Sequence, residues 1–160
     1  MNLVHEAERG AKANQLTHAR KTATGTEPYA TRTEIEAGAL KGQNLELLYL
    51  ADPVDTFFMH IQGSGRIRLT DGSTVRVHYD GKNGHPYTSI GRYLIDTGML
   101  AADKITMGAL GRWLRADPDR GRHVMHQNAS FVFFRELQGE EASGPLGVLS
   151  IPLVAGRSLA

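Results

Sequence analysis

The stretch RIRLTDGSTVRVHY, residues 66–79, is the part of the sequence that decides the fold. Apolar residues alternate with basic or polar residues on both sides of Asp71-Gly72. A period of two predicts strands with one buried face, and Asp-Gly between two such strands favours a two-residue type I′ turn. We therefore predict a β-hairpin over 66–79, with one face in the core and the other carrying arginines.

Helix signals lie on both sides of this hairpin. Thr31 or Thr33, each followed by a glutamate three residues later, predicts a capped helix that ends at Gly42. Asp52-Pro53 is typical of a helix start. Helices are also predicted over 88–98 and 106–118, and a turn or short helix over 119–128. In the 106–118 helix, Met107, Leu110 and Leu114 share one stripe.

Apolar and aromatic runs predict further strands over 45–50, 130–137 and 146–153. Residues 1–27 show little apolar periodicity, and we predict a weakly structured arm there, a weak helix and then a flexible segment. Residues 28–160 are predicted to form one domain. Strands and helices in mixed order predict an α+β fold with a small, mostly antiparallel, barrel-like sheet and two or three short helices.

Composition narrows the possible functions. The 18 basic and 17 acidic residues leave a net charge of +1, whereas a nucleic-acid-binding protein usually has a clearer basic excess. The absence of cysteine excludes disulfides, a thiolate nucleophile and a cysteine-ligated zinc. No apolar stretch approaches the roughly 18 residues of a membrane span, and the polar start shows no secretory signal.

The sequence carries no complete metal, phosphate-binding or nucleophile motif. His123 and His126 are three residues apart, but no HExxH pattern or acidic partner accompanies them, and we expect no metal. The phosphate-loop order of residues is absent, and Ser64 has no nucleophile frame. We also expect no cofactor. The acidic residues fit caps and turns, and no two suggest the facing pair of an ordinary glycosidase, although Asp80 and Glu136 stay open as acids.

The stretch YDGKNGHPYTSIGRYL, residues 79–94, carries more hydrogen-bonding and aromatic groups than a simple turn requires. Its Gly81-Lys82-Asn83-Gly84 segment fits the GxxG pattern by which KH domains clamp a nucleic-acid backbone, but that loop joins two helices and this one follows a strand. Neutral amides and hydroxyls match sugar hydroxyls and N-acetyl groups, and Tyr87 is the best candidate for a ring that stacks on a sugar.

Several regions together supply such groups, and we predict that they bind carbohydrate. The alternative, that these residues are loop caps and turn formers, stays open on composition alone. The predicted substrate-binding residues are Gln62, Gly63, Ser64, Gly65, Lys82, Asn83, Gly84, Tyr87, Gln127, Asn128, Ser130 and Phe133.

Four longer motifs make a family resemblance visible. They are DPVDTFFMHIQGSGRIRLTDG (52–72), VRVHYDGKNGHPYTSIGRYL (75–94), NASFVFFREL (128–137) and GPLGVLSIPLVAGRSLA (144–160). In this order they closely resemble the lytic murein transglycosylase A family, and the resemblance runs from about residue 29 to residue 160.

The resemblance implies an enzyme that cleaves the β-1,4 bond between N-acetylmuramic acid and N-acetylglucosamine in peptidoglycan and leaves 1,6-anhydromuramic ends. Such enzymes combine a double-psi β-barrel with an inserted β-rich domain, and the glycan strand lies between them. The matched region corresponds to the inserted domain. The expected partners are peptidoglycan glycan strands and a catalytic barrel domain, and no nucleic acid.

The family's catalytic aspartate lies in the barrel segment that follows a GRSLA-like stretch, so no catalytic residue is expected in this chain. We expect the chain alone to release no 1,6-anhydromuropeptides. Because the muramic acid's own O6 attacks C1, one carboxyl group acting as acid and then as base suffices. The family works in the periplasm or cell envelope, although this chain shows neither a signal peptide nor a lipidation cysteine. A nucleic-acid-binding module that uses the GKNG loop and an inactive truncated remnant are the alternatives.

Overall fold

The computed structural model describes residues 3–5 and 18–138, in which helices and strands are mixed along the chain. The helices are α1 (Arg32–Glu36), α2 (Pro53–Gln62), α3 (Ile90–Asp96), α4 (Met107–Ala116) and α5 (Pro118–Met125), with a 3-10 turn at Ala102–Lys104. The strands are β1 (Leu3–His5), β2 (His18–Thr22), β3 (Gly25–Pro28), β4 (Ser64–Arg68), β5 (Thr74–Lys82) and β6 (Val132–Leu137).

The strands form two antiparallel sheets, β1-β2-β3 and β4-β5-β6. The predicted α+β class with antiparallel pairing is therefore confirmed. Over the described ranges the strands lie in two small sheets, neither of which closes into a barrel, and five α-helices form instead of two or three. A sheet of three strands is too narrow to close on itself.

The predicted hairpin is confirmed as β4 and β5, but its turn differs from the prediction. The last strand pair is Arg68 with Thr74, and the Gly72 N–H donates to the Leu69 carbonyl at 3.0 Å. Gly72 has a φ of 86°, whereas Asp71 does not have a positive φ. Asp71 instead accepts a hydrogen bond from the Ser73 N–H at 2.8 Å. The loop is therefore a longer turn with one left-handed glycine, since type I′ requires positive φ at both central residues.

Capping residues start the helices where the sequence predicts them. Thr31 and Glu34 form a reciprocal capping box at α1, and Asp52 accepts hydrogen bonds from two backbone N–H groups at α2, with Pro53 in the first turn. Ser89 caps α3 in the same way. The helix α1 ends at Glu36, earlier than the predicted stop at Gly42.

Helices α2 to α5 bury the main apolar cluster. Its buried members are Val54, Phe57, Ile90, Leu94, Leu110, Leu114, Val124 and Met125. Each such side chain contributes about 1.5–3 kcal/mol relative to exposure. Leu110 and Leu114 confirm the predicted stripe on α4, but Met107 is 52% exposed because it occupies the first residue of the helix, at the edge of the cluster.

Two local predictions are wrong. Residues 45–50 form no strand, and Leu45, Leu47 and Tyr49 are exposed, because no described strand pairs with this segment. The first sheet is formed by residues 3–5, 18–22 and 25–28, so the described part of the predicted flexible segment lies in strands. The weak helix predicted before it falls largely outside the described residues. The division of the chain at residue 28 stays a prediction, and the strand predicted over 146–153 lies outside the described residues.

A glycine contact between α4 and α5 generates a stability prediction. A Cβ atom at Gly121 would lie 2.2 Å from the Leu114 carbonyl oxygen, so Gly121→Ala requires the two helices to separate. We expect a loss of at least about 2 kcal/mol in the free energy of unfolding, measured by urea denaturation.

The matched control is Gly108→Ala, where a helical Cβ meets nothing closer than the Arg112 guanidinium at 3.6 Å. That change should stabilise by about 0.5–1 kcal/mol because alanine has the better helix propensity. Equal effects of the two substitutions would contradict the close helix contact.

Candidate functional site

Three chain segments meet at the end of the second sheet: residues 29–32 before and at the start of α1, residues 83–88 after β5, and residues 128–131 before β6. We call this meeting point the junction. Backbone hydrogen bonds connect it, from the Asn83 N–H to the Phe131 carbonyl at 3.0 Å and from the Arg32 N–H to the Ala129 carbonyl at 3.0 Å. The first sheet touches it as well, since a Cβ at Gly84 would lie 2.4 Å from the His18 backbone nitrogen.

Asn83 lies at the centre of the junction and is completely buried. Its side-chain amide donates to the carbonyls of Ala30 and Ala129, both at 2.9 Å. Its Oδ1 accepts from the Phe131 N–H at 2.9 Å and from the His85 N–H at 3.4 Å. One side chain therefore joins all three segments, and its hydrogen-bonding groups are occupied by the protein itself.

Asn128 has the same role on the other side of the junction. Its Oδ1 accepts from the Thr88 N–H at 3.1 Å and from the Ser130 N–H at 3.2 Å. The loop 83–88 is therefore held at both ends by buried asparagines, with Asn83 at its start and Asn128 bound to its last residue.

Arg32 crosses beneath these loops with 2% of its surface exposed. Its guanidinium donates to the carbonyls of Asn128 at 3.2 Å and Ser130 at 2.8 Å, and it pairs with Glu36 at 3.1 Å. It also lies over the rings of Phe57 and Phe131, with centroid distances of 4.8 and 5.2 Å. Burial lowers the pKa of Arg32, and the Glu36 carboxylate opposes that shift.

His60, on the last turn of α2, packs against this guanidinium. Its Nδ1 lies 3.4 Å from both Arg32 Nη2 and the Val132 backbone nitrogen, so Nδ1 accepts and the proton resides on Nε2. Burial first, and then the charge of Arg32, lowers the pKa of His60 to about 3. The imidazole is therefore neutral at physiological pH.

Tyr87 is the exposed aromatic group of the loop 83–88. Its side chain is 56% exposed. Its backbone lies between Pro86 and Thr88, and the Thr88 N–H donates a hydrogen bond to Asn128. The loop thus presents a ring to solvent from a backbone that is fixed at both ends. Lys82 and Gln127, at the two margins of the junction, are half-buried.

The Gln62–Gly65 turn lies farther along the second sheet. Gly63 adopts the left-handed conformation that ends α2, and Gly65 lies against Met59 with no room for a Cβ. The Tyr79 N–H donates to the Gly63 carbonyl at 2.7 Å, which places the turn beside a residue four positions before Asn83. That offset along β5 is about 13 Å. Gln62 and Ser64 are exposed.

The predicted site residues therefore divide into three groups according to their exposure to solvent. Gln62, Ser64 and Tyr87 are exposed; Gly63, Gly65, Lys82, Gln127 and Phe133 are half-buried; Asn83, Gly84, Asn128 and Ser130 are buried. The structure brings the predicted residues of 82–87 and of 127–133 together around the junction and leaves Gln62–Gly65 apart from them. Phe133 contacts the rings of Tyr29 and Phe131 at centroid distances of 5.7 and 5.4 Å.

A cleft of about 480 Å³ borders the junction. Its lining includes His85 from the loop 83–88, Tyr29, and Leu40 from the segment after α1. His85 Nε2 donates to the Tyr29 carbonyl at 2.7 Å. Sequence reasoning did not single out this cleft, because its walls come from parts of the chain 56 residues apart.

The carboxyl groups of the described residues act mainly in caps and ion pairs. Burial alone would raise the pKa of Asp52, but hydrogen bonds from Arg115 and two backbone N–H groups hold it below the usual value. The Thr31 backbone and hydroxyl lower the pKa of Glu34, and Ser73 lowers that of Asp71. Asp80 occupies a bulge between β5 and β6, and Glu136 is exposed.

Residues 3–5 and 18–138 contain no group of three or more His, Cys, Asp or Glu side chains suited to holding a metal ion. No helix in them has the length and apolar character needed to cross a membrane.

Comparison with known proteins identifies relatives throughout the described fold. Residues 1–135 match the sequence model of the MltA specific insert domain. Membrane-bound lytic murein transglycosylase A of Vibrio cholerae is 37% identical over 127 residues, and that of Escherichia coli K12 is 39% identical over 133 residues. These matches cover 78% and 81% of this chain but 34% and 35% of the relatives, so the chain spans about a third of their length.

Solved structures agree with the sequence matches. MltA from Neisseria gonorrhoeae has a TM-score of 0.74 at 44% identity, covering 86% of this chain and 33% of that one. A membrane-bound lytic murein transglycosylase from Agrobacterium tumefaciens has a TM-score of 0.82 at 34% identity, covering 97% of this chain and 43% of that one.

The junction generates a prediction about Asn83. Replacing Asn83 with alanine removes four hydrogen bonds and leaves buried backbone groups without partners, so we expect a loss of at least about 3 kcal/mol in the free energy of unfolding. Tyr87→Ala, in the same loop but exposed, should change it by less than about 0.5 kcal/mol. Urea denaturation of both variants tests this, and a small effect of Asn83→Ala would show that the junction is not structural.

The neutral His60 generates a pH prediction. Because its pKa is lowered to about 3 in the folded chain, this group contributes its full stability above about pH 6.5, and that contribution declines as the pH falls from there towards 3. Between pH 7 and 5 the loss from this residue should be about 2 kcal/mol.

The matched variant is His60→Asn, whose Oδ1 can accept from Arg32 and Val132 in place of Nδ1. All other ionisable groups are the same in the two proteins. The difference between the two pH profiles therefore isolates the contribution of His60. Parallel urea-denaturation profiles from pH 7 to 5 would show that His60 takes up protons as easily when folded as when unfolded.

Proposed function

Because the chain belongs to the MltA family, whose insert-domain model it matches over residues 1–135, we propose that it is the glycan-strand-binding part of a peptidoglycan lytic transglycosylase. In this proposal the complete protein cleaves the bond between N-acetylmuramic acid and N-acetylglucosamine and works in the cell envelope. The two curated relatives, by name, are membrane-bound lytic murein transglycosylases.

The observation that carries the proposal is the fixed display of Tyr87. A sugar ring presents an apolar C–H face that stacks on an aromatic side chain, and stacking is most favourable when the ring is already held in place. Tyr87 is exposed between Pro86 and a residue whose N–H is bonded to buried Asn128. Ordering this ring on binding therefore costs little backbone entropy.

Polar groups near the loop suit the rest of a glycan strand. Gln127 and Lys82 flank the junction, and exposed Gln62 and Ser64 lie about 13 Å away along β5, so one extended strand of several sugars can reach both regions. Asn83, Asn128 and Ser130 support this surface from below, because their hydrogen-bonding groups are directed into the protein. We propose that they position the loop and do not touch the glycan.

The proposal assigns bond cleavage to a carboxyl group of the other domain. A general acid for this reaction needs a raised pKa and a wall that excludes water. Among the described residues, the carboxyl groups with displaced pKa values, Glu34, Asp52 and Asp71, are all lowered. Asp80 and Glu136 are exposed. These carboxyl environments favour a protein in which this chain binds the glycan strand and the other domain cleaves it.

The nucleic-acid alternative receives less support from the loop geometry. A GxxG clamp approaches a phosphate backbone through exposed loop residues. Here Asn83 and Gly84 are buried against the 29–32 segment and β2, so half of the Gly81–Gly84 segment faces the protein interior.

The binding experiment is an NMR titration of the chain with chitooligosaccharides and, separately, with single-stranded RNA. We expect Tyr87→Ala to weaken chitooligosaccharide binding by about fivefold, the loss of roughly 1 kcal/mol of stacking. The matched control is Tyr49→Ala, which removes a tyrosine that is 88% exposed but lies in the segment 45–50.

Each outcome of the titration distinguishes the alternatives. Salt-sensitive binding of RNA without sugar binding would replace the proposal with the nucleic-acid reading. No shift with any sugar at millimolar concentration would favour an inactive remnant. Equal losses in the Tyr87 and Tyr49 variants would remove Tyr87 from the site.

A further inference from the structure

The second sheet has a face that is strongly basic. We define the basic face by Arg66 and Arg68 on β4, Arg76 and His78 on β5, and Arg135 on β6. Strand register places these side chains together, because Arg66 is opposite Arg76, Arg68 is opposite Thr74, and His78 is opposite both Ser64 and Arg135.

The opposite face of the same sheet packs on the protein, which directs the basic face outwards. Gly65 and Val77 lie on that inner face, where a Cβ at Gly65 would collide with Met59 of α2. Val77 is 2% exposed, whereas Arg66 and Arg68 on the basic face are exposed. Alternation along β4 and along residues 74–78 of β5 therefore separates an apolar side from a largely cationic side.

The basic face contains a shallow cavity of about 340 Å³. Ser64, Arg66, Arg76 and His78 contribute to its lining. At the face positions that the register pairs, the described strands carry no carboxylate, since Glu136 is opposite Val77 on the inner side. The nearest carboxylate along β5 is Asp80, which is exposed in the bulge two residues after His78. Arg66 and Arg68 take part in no ion pair within the described residues. No described carboxylate pairs with these two charges, although the whole chain has a net charge of only +1.

We propose that the basic face binds the carboxylates of the acidic peptide stems that peptidoglycan strands carry on their muramic acid residues. This inference rests on the proposed function and extends it from the sugar chain to its substituents. Guanidinium groups are planar and bind carboxylates through two parallel hydrogen bonds, and several arginines spaced over three neighbouring strands fit several carboxylates spaced along a flexible peptide.

The position of the face favours stems over other anions. Ser64 belongs to both the cavity and the predicted sugar-binding set, and β5 continues from the basic face through Lys82 to the Tyr87 loop. A glycan strand on that loop brings its stems towards the sheet. An anionic membrane surface fits less well, because membrane-binding faces combine cations with exposed apolar side chains, and Leu137, the apolar residue on this face, is buried.

The test compares two ligands that differ only in charge. One is a soluble, uncross-linked peptidoglycan strand with its stems; the other is the same strand after its carboxyl groups have been converted to amides. Chitooligosaccharides report on sugar binding alone, and phosphatidylglycerol vesicles report on anionic lipid. The variant is Arg66→Gln with Arg68→Gln, and the control is Arg112→Gln with Arg122→Gln, which removes the same charge from the exposed surface of α4 and α5.

We expect the Arg66/Arg68 variant to bind stem-bearing strands about fivefold more weakly at low salt, with the difference shrinking as salt screens the charges. Its binding of amidated strands and chitooligosaccharides should equal that of the parent chain, and the control should match the parent throughout. Circular dichroism of the variant confirms that the sheet is intact.

Three results would overturn the proposal. Equal binding of charged and amidated strands by the parent chain would remove the basic face from recognition while leaving the proposed function in place. Loss of vesicle binding, with stem binding unchanged, would assign the face to a lipid surface. Failure of the parent to bind any glycan ligand would instead remove the proposed function itself, and this inference with it.

Discussion

The buried guanidinium of Arg32 is the interaction on which the arrangement of the loops depends. A charged group with 2% exposure is unfavourable unless its donors are satisfied, and here they reach the carbonyls of Asn128 and Ser130 and the Glu36 carboxylate. Those two carbonyls belong to a loop that precedes β6 and has no strand partner there. The arginine therefore provides hydrogen bonds that the sheet cannot, and it holds the loop in the position that Asn83 and Asn128 require.

The positive charge of Arg32 determines the protonation state of the neighbouring His60. His60 can accept hydrogen bonds through Nδ1 from Arg32 and from Val132 only if it is neutral, and a second positive charge beside the guanidinium would be repelled at this buried position. The low pKa of His60 is thus a consequence of the loop architecture. The perturbed group is structural, and its displaced pKa does not by itself mark a catalytic centre.

Features that depend on near neighbours were predictable from the sequence, whereas features that depend on distant partners were not. The caps at Thr31, Asp52 and Ser89 and the hairpin around Asp71-Gly72 follow from residues within a few positions of one another. The type I′ turn was wrong because the Asp71 side chain bonds to Ser73, and the 45–50 strand was wrong because no described strand pairs with it. The sequence predicted Asn83 as a sugar-binding residue. Its hydrogen-bond partners lie 46 and 53 residues away in the chain, so its structural role could not be predicted from the sequence.

The proposed sugar-binding loop and the proposed basic face use different kinds of side chain, because a sugar ring is rigid and a peptide stem is flexible. A pyranose ring is rigid, and a rigid partner favours a side chain that is already in place; Tyr87 has two side-chain torsions and a backbone held by Asn128. A peptide stem is flexible and samples many positions, and long arginine side chains can follow it from a fixed sheet. The Arg66 and Arg68 side chains are exposed and have no ion-pair partner among the described residues, so no ion pair has to be broken when such a ligand binds. A rigid support beneath the ring and charged groups without internal ion pairs are therefore compatible requirements, because β5 pairs with the strand that carries Arg66 and Arg68 and leads into the loop that carries Tyr87.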